Sequence, residues 1–462
     1  MLDLTLLPAA AELLHAHGGQ ARVWLRQADL LPMRVTFQDG KGADVQVDVV
    51  DPKVSDPWPA ERWRLTPGEQ DKLHTVALSH LTKFIEVAPK ILRNQIPTLG
   101  PATGQRELVA TSGKGRLEMI DGTRVLFLMG TPEEMGRQHG KLLNAPIHDV
   151  ANRILYGIGV GSSFAKGNWF IDEIESAEAR LEPHMDPRYL REMDAIAKAT
   201  GMHPQEARLA NFFPELFHCS GFALMNGATR DGHVYHGRVL DYMRGVGLEQ
   251  NAVVIIHQPD VGHAWVNISY AGFVGSVTAM NEKGISVGEM GGRGYGAWDG
   301  KPMAQLIREV MEKASTLDEA VEIMRRGPRT CEYYYVIADG NAKTAVGIGA
   351  TPDKFEVVRP GEAHARLPHP VQDTVLVSAG DRYDLLAERV KAGWGKFDAD
   401  SARDLMTRPV CMTSNIHSVL FRPDTLDLWV ANADSKNVAS ATRYTHYNLK
   451  DLMRTRAPDP GF

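Results

Sequence analysis

The chain carries three thiols, Cys219, Cys331 and Cys411. An odd number at wide spacing, with no CxxC and no paired Cys/His spacing, argues against a disulfide framework or a zinc cluster. Cys331 and Cys411 read as small buried hydrophobes. Cys219 has a different setting, Phe217-His-Cys-Ser-Gly-Phe222, where a helical stretch gives way to strand texture. The next strand ends in Gly237-Arg238-Val-Leu-Asp241, a polar pair on an otherwise apolar segment. A hairpin through Thr229-Arg-Asp-Gly232 would return Arg238 and Asp241 towards the thiol. Met280-Asn281-Glu-Lys-Gly284 is a turn between two strands, and its amide side chain can donate to a developing oxyanion. The chemistry such a set would do is nucleophilic attack by a thiol on a carbonyl carbon. Plainer alternatives stay open: an ordinary surface ion pair for Arg238 and Asp241, a turn former for Asn281, and structural roles for His218 and His236.

A second motif competes. Gly284-Ile-Ser-Val-Gly288 satisfies the G-x-S-x-G pattern of a serine hydrolase elbow, which needs a strand leading in and a helix leading out. The following Glu289-Met-Gly-Gly-Arg-Gly-Tyr-Gly296 is too glycine-rich to start a helix at once. Ser286 therefore reads as a strand residue, with a serine α/β-hydrolase kept as an alternative. The glycine run has neither GxxxxGK[ST] nor a βαβ setting, so it is no phosphate loop. It reads as a flexible loop over a site, with Tyr295 and Trp298 available to line an acyl pocket.

These residues must be held by elements that the hydrophobic pattern predicts. Alternation in Arg34-Val-Thr-Phe and Asp44-Val-Gln-Val-Asp-Val-Val predicts a small hairpin about Asp39-Gly40. Asp51–Pro59 is proline-rich, 71–92 has a helical period, and Ile96-Pro-Thr-Leu-Gly-Pro reads as a linker. Strands at Gly115–Ile120 and Arg124–Leu128 join through Asp121-Gly122. Thr131-Pro-Glu-Glu134 predicts a capped helix, and helices near 172–182, 187–200 and 204–217 make a helical lead-in to Cys219. After it come six short strands between 221 and 289, helices at 303–313 and 317–325, strands at 333–338 and 344–348, a helix near 381–391 and a closing hairpin, 416–421 with 426–430. Strands, then helices, then strands fit an α+β layered sandwich rather than a βαβ repeat.

Composition narrows the function. The 462 residues are 43% apolar and 23% charged with a net charge of −6, which suits an ordinary globular chain of two or three domains. No basic run marks a nucleic-acid surface, and no stretch approaches the roughly 18 apolar residues of a membrane span. The N-terminus lacks a basic region before its short apolar run, and Ala9–His15 reads as an amphipathic helix, so the expected compartment is the cytoplasm. No metal or cofactor is expected.

From about Gly115 to Val430 the chain resembles the autoproteolytic acyltransferase/hydrolase family of isopenicillin-N acyltransferase, relatives of the choloylglycine hydrolases among the N-terminal-nucleophile (Ntn) hydrolases. The matching pieces are Gly130-Thr-Pro-Glu-Glu-Met-Gly-Arg-Gln-His-Gly140, Cys219-Ser-Gly-Phe-Ala, Asp231-Gly-His-Val-Tyr-His-Gly-Arg-Val-Leu-Asp241, Met280-Asn-Glu-Lys-Gly284, Tyr335-Val-Ile-Ala-Asp339 and Ser378–Arg382. The resemblance implies self-cleavage between His218 and Cys219, which frees an α-amino group to serve as base for its own thiol. It further implies that Arg238 favours the thiolate, Asp241 holds the α-ammonium, Asn281 donates to the oxyanion and Arg382 steadies the site. Relatives place an asparagine shortly before the Ile-Ala-Asp strand, where this chain has Thr330-Cys-Glu-Tyr-Tyr. Tyr334 stands nearest, with Glu332 or Thr330 as alternatives for the oxyanion hole or the pocket.

The expected fold is α+β, a four-layer αββα Ntn-hydrolase sandwich with an additional small N-terminal α/β domain. Its expected parts are an accessory domain over 1–100, a helical lead-in over 112–218 and a catalytic core over 219–450. The expected activity is amidohydrolase or acyltransferase, acting on an acyl amide or thioester. Hydrolysis is favoured, because an amine acceptor would need its own pocket. No nucleic-acid or membrane partner is expected, and a homo-oligomer is left open. Besides the serine hydrolase, the alternative is a catalytically impaired Ntn-fold binding or scaffold protein.

Overall fold

The computed structural model describes residues 2–5, 20–29, 31–38, 44–50, 78–92, 95–160, 163, 169–212, 219–292 and 296–454. The expectations for Ala9–His15, the Asp39-Gly40 turn, Asp51–Pro59, the start of the 71–92 helix, the end of the 204–217 helix, His218 and Tyr295 lie outside the described residues. The chain divides into two compact units, Met1–Asn94 with Leu155–Glu173, and Gln95–Ile154 with Ile174–Phe462.

In the first unit four antiparallel strands lie in sequence order, β1 (Leu2–Thr5), β2 (Gln20–Leu25), β3 (Pro32–Gln38) and β4 (Asp44–Asp48). The Leu78–Leu92 helix sets Val87 and Ile91 against Gly157. Lys83 Nζ lies 3.3 Å from the Tyr156 hydroxyl.

The second unit holds two sheets. Ten strands form the larger, in the order β16 (Phe355–Val358), β15 (Thr344–Ala350), β14 (Tyr333–Asp339), β13 (Ile285–Gly291), β12 (Thr278–Asn281), β11 (Trp265–Tyr270), β10 (Ala252–Pro259), β7 (Thr123–Gly130), β6 (Gly115–Ile120) and β5 (Arg106–Ser112). Neighbours are antiparallel except β7 and β10, which run parallel with Val125 opposite Val254. Strands before Cys219 thus complete a sheet built mostly from strands after it. Six strands form the smaller sheet, in the order β17 (Thr374–Val377), β8 (Ser220–Leu224), β9 (Tyr235–Asp241), β18 (Asn415–Arg422), β19 (Asp427–Asn432) and β20 (Thr445–Asn448).

Apolar alternation drives the two sheets together. Val125, Phe127, Val254, Ile256, Val266 and Met280 of the larger share one buried cluster with Val419, Phe421, Leu428 and Val430 of the smaller. The other side chains of β8 and β9, including Phe222, Leu224, Tyr235 and Val239, pack on Tyr383, Leu386 and Val390 of the Asp381–Gly393 helix. On the larger sheet, the Pro132–Leu142 helix starts with the expected capping box. Glu134 N donates to Thr131 Oγ1 at 3.2 Å, and Thr131 N donates to Glu134 Oε2 at 2.9 Å. Buried Arg308 of the Met303–Lys313 helix donates to Glu192 at 2.7 Å and to Glu312 at 2.8 Å. Glu192 belongs to the Pro187–Thr200 helix, so this charge cluster joins segments on either side of Cys219.

Candidate active site

Cys219 stands immediately before β8, and the β8–β9 hairpin sets its surroundings. Gly221 pairs with Arg238 and Ser220 with Val239, so the end of β9 returns beside the thiol as the sequence predicts. Cys219 is 4% exposed. Burial pushes its thiol up to about 11, and Glu289 and Asp241 push the same way; the positive charge of Arg238 and a hydrogen bond from the Asp241 backbone N–H oppose them.

Arg238 is fully buried between the sheets, a costly position for a charge. Its route is opened by Gly288 of β13, where a Cβ would fall 2.5 Å from Arg238 Cγ. Across that gap Arg238 Nη2 donates to Glu289 Oε2 at 3.4 Å, a long contact between two side chains with no exposure. Arg238 Nε and Nη1 have no hydrogen-bond partner among the described residues. Burial pushes the Glu289 carboxyl up to about 7, with Arg238 opposing. Sequence reasoning put Glu289 at the end of a predicted strand but gave it no role, because a glycine-rich run follows it; the signal was a carboxylate three residues beyond Ser286 on a continuous strand.

Asp241 is the hub of the polar side. Its carboxylate accepts from Arg382 Nη1 at 2.8 Å and from the Met412 backbone N–H at 2.9 Å. Burial nonetheless pushes it up to about 6, against the pull of those donors and of Arg238. Arg382 also donates to Ser220 Oγ at 3.3 Å, and Ser220 Oγ lies 2.7 Å from Ser378 Oγ. The Ser378–Arg382 segment is thereby anchored beside the start of β8, next to Cys219. Asp241 links Cys219 to Arg382, and the charge of Arg238 acts on both Cys219 and Asp241.

Three expectations are corrected. Asn281 is not part of this cluster. Its Nδ2 donates to Met311 O at 3.0 Å and Ala314 O at 2.8 Å, and its Oδ1 accepts from the Lys283 and Ile285 amides. A turn that ties β12 to the Met303–Lys313 helix uses the whole amide, leaving nothing for an oxyanion. Tyr334 is not a free oxyanion donor either: its hydroxyl bonds Glu332 and receives Arg366, although it does wall the cavity described below. Trp298 is buried but does not line that cavity. Ser286 lies within β13, fully buried, with its Oγ 2.8 Å from His236 Nδ1 and Ile285–Gly291 continuing as strand. The elbow geometry is absent there. Cys331 and Cys411 are buried, as expected of small hydrophobes.

The cluster opens on a cavity of about 330 Å³. Cys219 and Arg382 are on its wall with Met290, Ile348, Val358, Leu367 and Val377, and glycines 291, 347 and 349 leave it wide. A second, mostly apolar cavity of about 70 Å³ is lined by Ile147, Val150, Leu248, Phe273 and, flanking Asp241 in sequence, Leu240 and Tyr242. Among the described residues no group of three His, Cys, Asp or Glu side chains is placed to hold a metal ion. Nor is any helix among them long and apolar enough to cross a membrane.

An uncharacterized protein of Archaeoglobus fulgidus is 28% identical over 276 residues, 52% of this chain and 45% of that protein. Protein dcd1A of Dictyostelium discoideum is 24% identical over 357 residues, 68% of this chain and 78% of its own length. The N-acylethanolamine-hydrolyzing acid amidase of Oryctolagus cuniculus is 24% identical over 196 residues, 40% of this chain and 54% of the amidase. The chain thus spans about half the length of the archaeal protein and of the rabbit amidase. Among solved structures, a Caenorhabditis elegans ortholog of the same amidase superposes with a TM-score of 0.39 at 19% identity, covering 50% of this chain and 99% of its own. A sequence model of the family described as acyl-coenzyme A:6-aminopenicillanic acid acyl-transferase matches residues 228–368. That match bears out the resemblance over the stretch that holds Asp231–Asp241, Met280–Gly284 and Tyr335–Asp339, which is similar in sequence to this family.

Proposed function

We propose that the chain is an Ntn-type cysteine amidohydrolase or acyltransferase of the four-layer αββα kind, with residues 1–100 as accessory domain, 112–218 as lead-in and 219–450 as catalytic core. One observation carries this reading: the Cys219 thiol and Arg382 wall the same cavity, and Asp241 is bonded to both, through its amide and its carboxylate.

Maturation begins when the Cys219 sulfur attacks the His218 carbonyl carbon. The C–N bond breaks as the nitrogen takes the thiol proton, leaving a thioester and a free amine. Water then hydrolyses the thioester, releasing the His218 carboxylate and restoring the thiol. The new α-amine, with an ordinary pKa near 8, takes the thiol proton that burial otherwise holds in place, and Asp241 holds the resulting ammonium. The thiolate, favoured by Arg238, attacks the substrate carbonyl. The ammonium returns its proton to the departing nitrogen, and water hydrolyses the acyl thioester. Water is favoured over an amine acceptor because it needs no pocket of its own. The apolar side chains Met290, Ile348, Val358 and Val377 on the wall of the Cys219 cavity support an apolar acyl group.

A thiol-reactive β-lactone probe tests the nucleophile. It should label wild type at Cys219 and leave Cys219→Ala unlabelled, while Ser286→Ala keeps both labelling and amidase activity. Loss of activity in Ser286→Ala with retention in Cys219→Ala would transfer the chemistry to the serine. A second reading, an impaired Ntn-fold binding protein, is favoured by one observation: among the described residues no Asn or Gln side chain lines the Cys219 cavity. It predicts no acyl-probe labelling at all.

A further inference from the structure

The Cys219 cavity changes character from floor to mouth. Its buried end carries the thiol, Arg382 and aliphatic side chains, whereas the exposed end carries a mixed charge cluster that the chemistry at sulfur does not use. Arg366 is 53% exposed; its Nη1 donates to Glu332 Oε1 and its Nη2 to Glu356 Oε2, each at 3.0 Å. Tyr334 joins Glu332 and Arg366 through its hydroxyl. Two carboxylates face one guanidinium. The second oxygen of Glu356, Oε1, has His364 Nε2 at 3.6 Å, beyond hydrogen-bond distance. Glu356, His364 and Arg366 all line the cavity that holds Cys219.

We infer that this mouth is the subsite for the amine half of the substrate, and that Glu356 selects an amine bearing a second, protonated nitrogen. The inference rests on the amidase reading above. With the acyl carbonyl at the thiol, the nitrogen side of the bond has the cavity mouth as its way out. A neutral alkylamine gains nothing from the cluster there. A carboxylate meets the Glu356 carboxylate, and an ammonium finds Glu356 Oε1 with no hydrogen-bond donor among the described residues. Arg366 holds the two carboxylates together and at the same time repels the cation, so the two residues act on selectivity with opposite signs.

Three dodecanoyl amides of matched length test this: those of 1,4-diaminobutane, butylamine and 4-aminobutanoate, compared by kcat/KM. Wild type should prefer the diamine amide to the butyl amide, and the butyl amide to the aminobutanoate amide. Glu356→Gln should lower the diamine-to-butyl ratio about five-fold, the worth of roughly 1 kcal/mol for an exposed ion pair. Arg366→Gln should raise it. A merely structural role for the cluster would move both variants the same way. Equal kcat/KM for the three amides in wild type, or shifts of the same sign in both variants, overturns the subsite and leaves the amidase reading standing. Turnover of none of them by mature enzyme beginning at Cys219 overturns both.

Discussion

Arg238 reaches Glu289 across the bare backbone of Gly288, and both side chains are wholly removed from solvent. The contact is long, 3.4 Å, and two guanidinium nitrogens are left without partners among the described residues. A cation held this loosely in a buried interior is placed for its field, and that field favours the Cys219 thiolate. Structural ion pairs are usually tighter and better hydrogen-bonded.

Arg238→Met should therefore raise the pKa of Cys219 still further. Alkylation by iodoacetamide, followed at the Cys219 peptide by mass spectrometry, should slow about three- to four-fold for each unit of that rise, the tenfold loss of thiolate being partly offset by the greater nucleophilicity of a more basic sulfur. The peptides of Cys331 and Cys411 serve as internal references. An unchanged rate at Cys219 would show that the charge does not act on the thiol.

Glu289 gives the fold a pH dependence whose sign follows from burial. Its carboxyl is raised from an ordinary 4.5 to about 7, so the folded state binds more protons than the unfolded between those values. Stability contributed by the protonated form is complete below pH 4.5 and is lost as pH rises through about 7. Glu289→Gln should flatten that decline by up to about 1.4 kcal/mol per pH unit, measured as urea midpoints in the Cys219→Ala background. Asp241, raised to about 6, contributes with the same sign and remains in the variant. A steeper decline in the variant would contradict this assignment.

Gly288→Ala should be costly for a steric reason. The new methyl would sit 2.5 Å from Arg238 Cγ and 3.1 Å from His236 Nε2. Overpacking of that kind costs about 1–3 kcal/mol, and the displaced guanidinium should slow maturation as well. Gly100→Ala meets nothing within 4 Å and should stay within about 0.5 kcal/mol of wild type. Equal midpoints for the two variants in chemical unfolding would count against the close approach.

The sequence made the hairpin of β8 and β9 legible because its turn residues and alternation agree, and the hairpin brings Arg238 and Asp241 to Cys219. The Thr131–Glu134 capping box was legible for the same reason, a fixed spacing with one physical outcome. Short elements were not. β16, β17 and β20 have four residues each, too few for a period to show. The parallel pairing of β7 with β10 is a long-range choice that no local pattern encodes. Asn281 misled because an asparagine that organises a turn and one that donates to an oxyanion look alike in sequence. Glu289 was hidden by the glycines around it, one of which exists to let Arg238 reach it.

Intact mass spectrometry of wild type beside Cys219→Ala tests the central claim most directly. The account predicts two wild-type fragments, the larger beginning at Cys219, and a single uncleaved chain of 50.9 kDa for the variant. A wild-type protein that turns over an amide while remaining one uncleaved chain would contradict it.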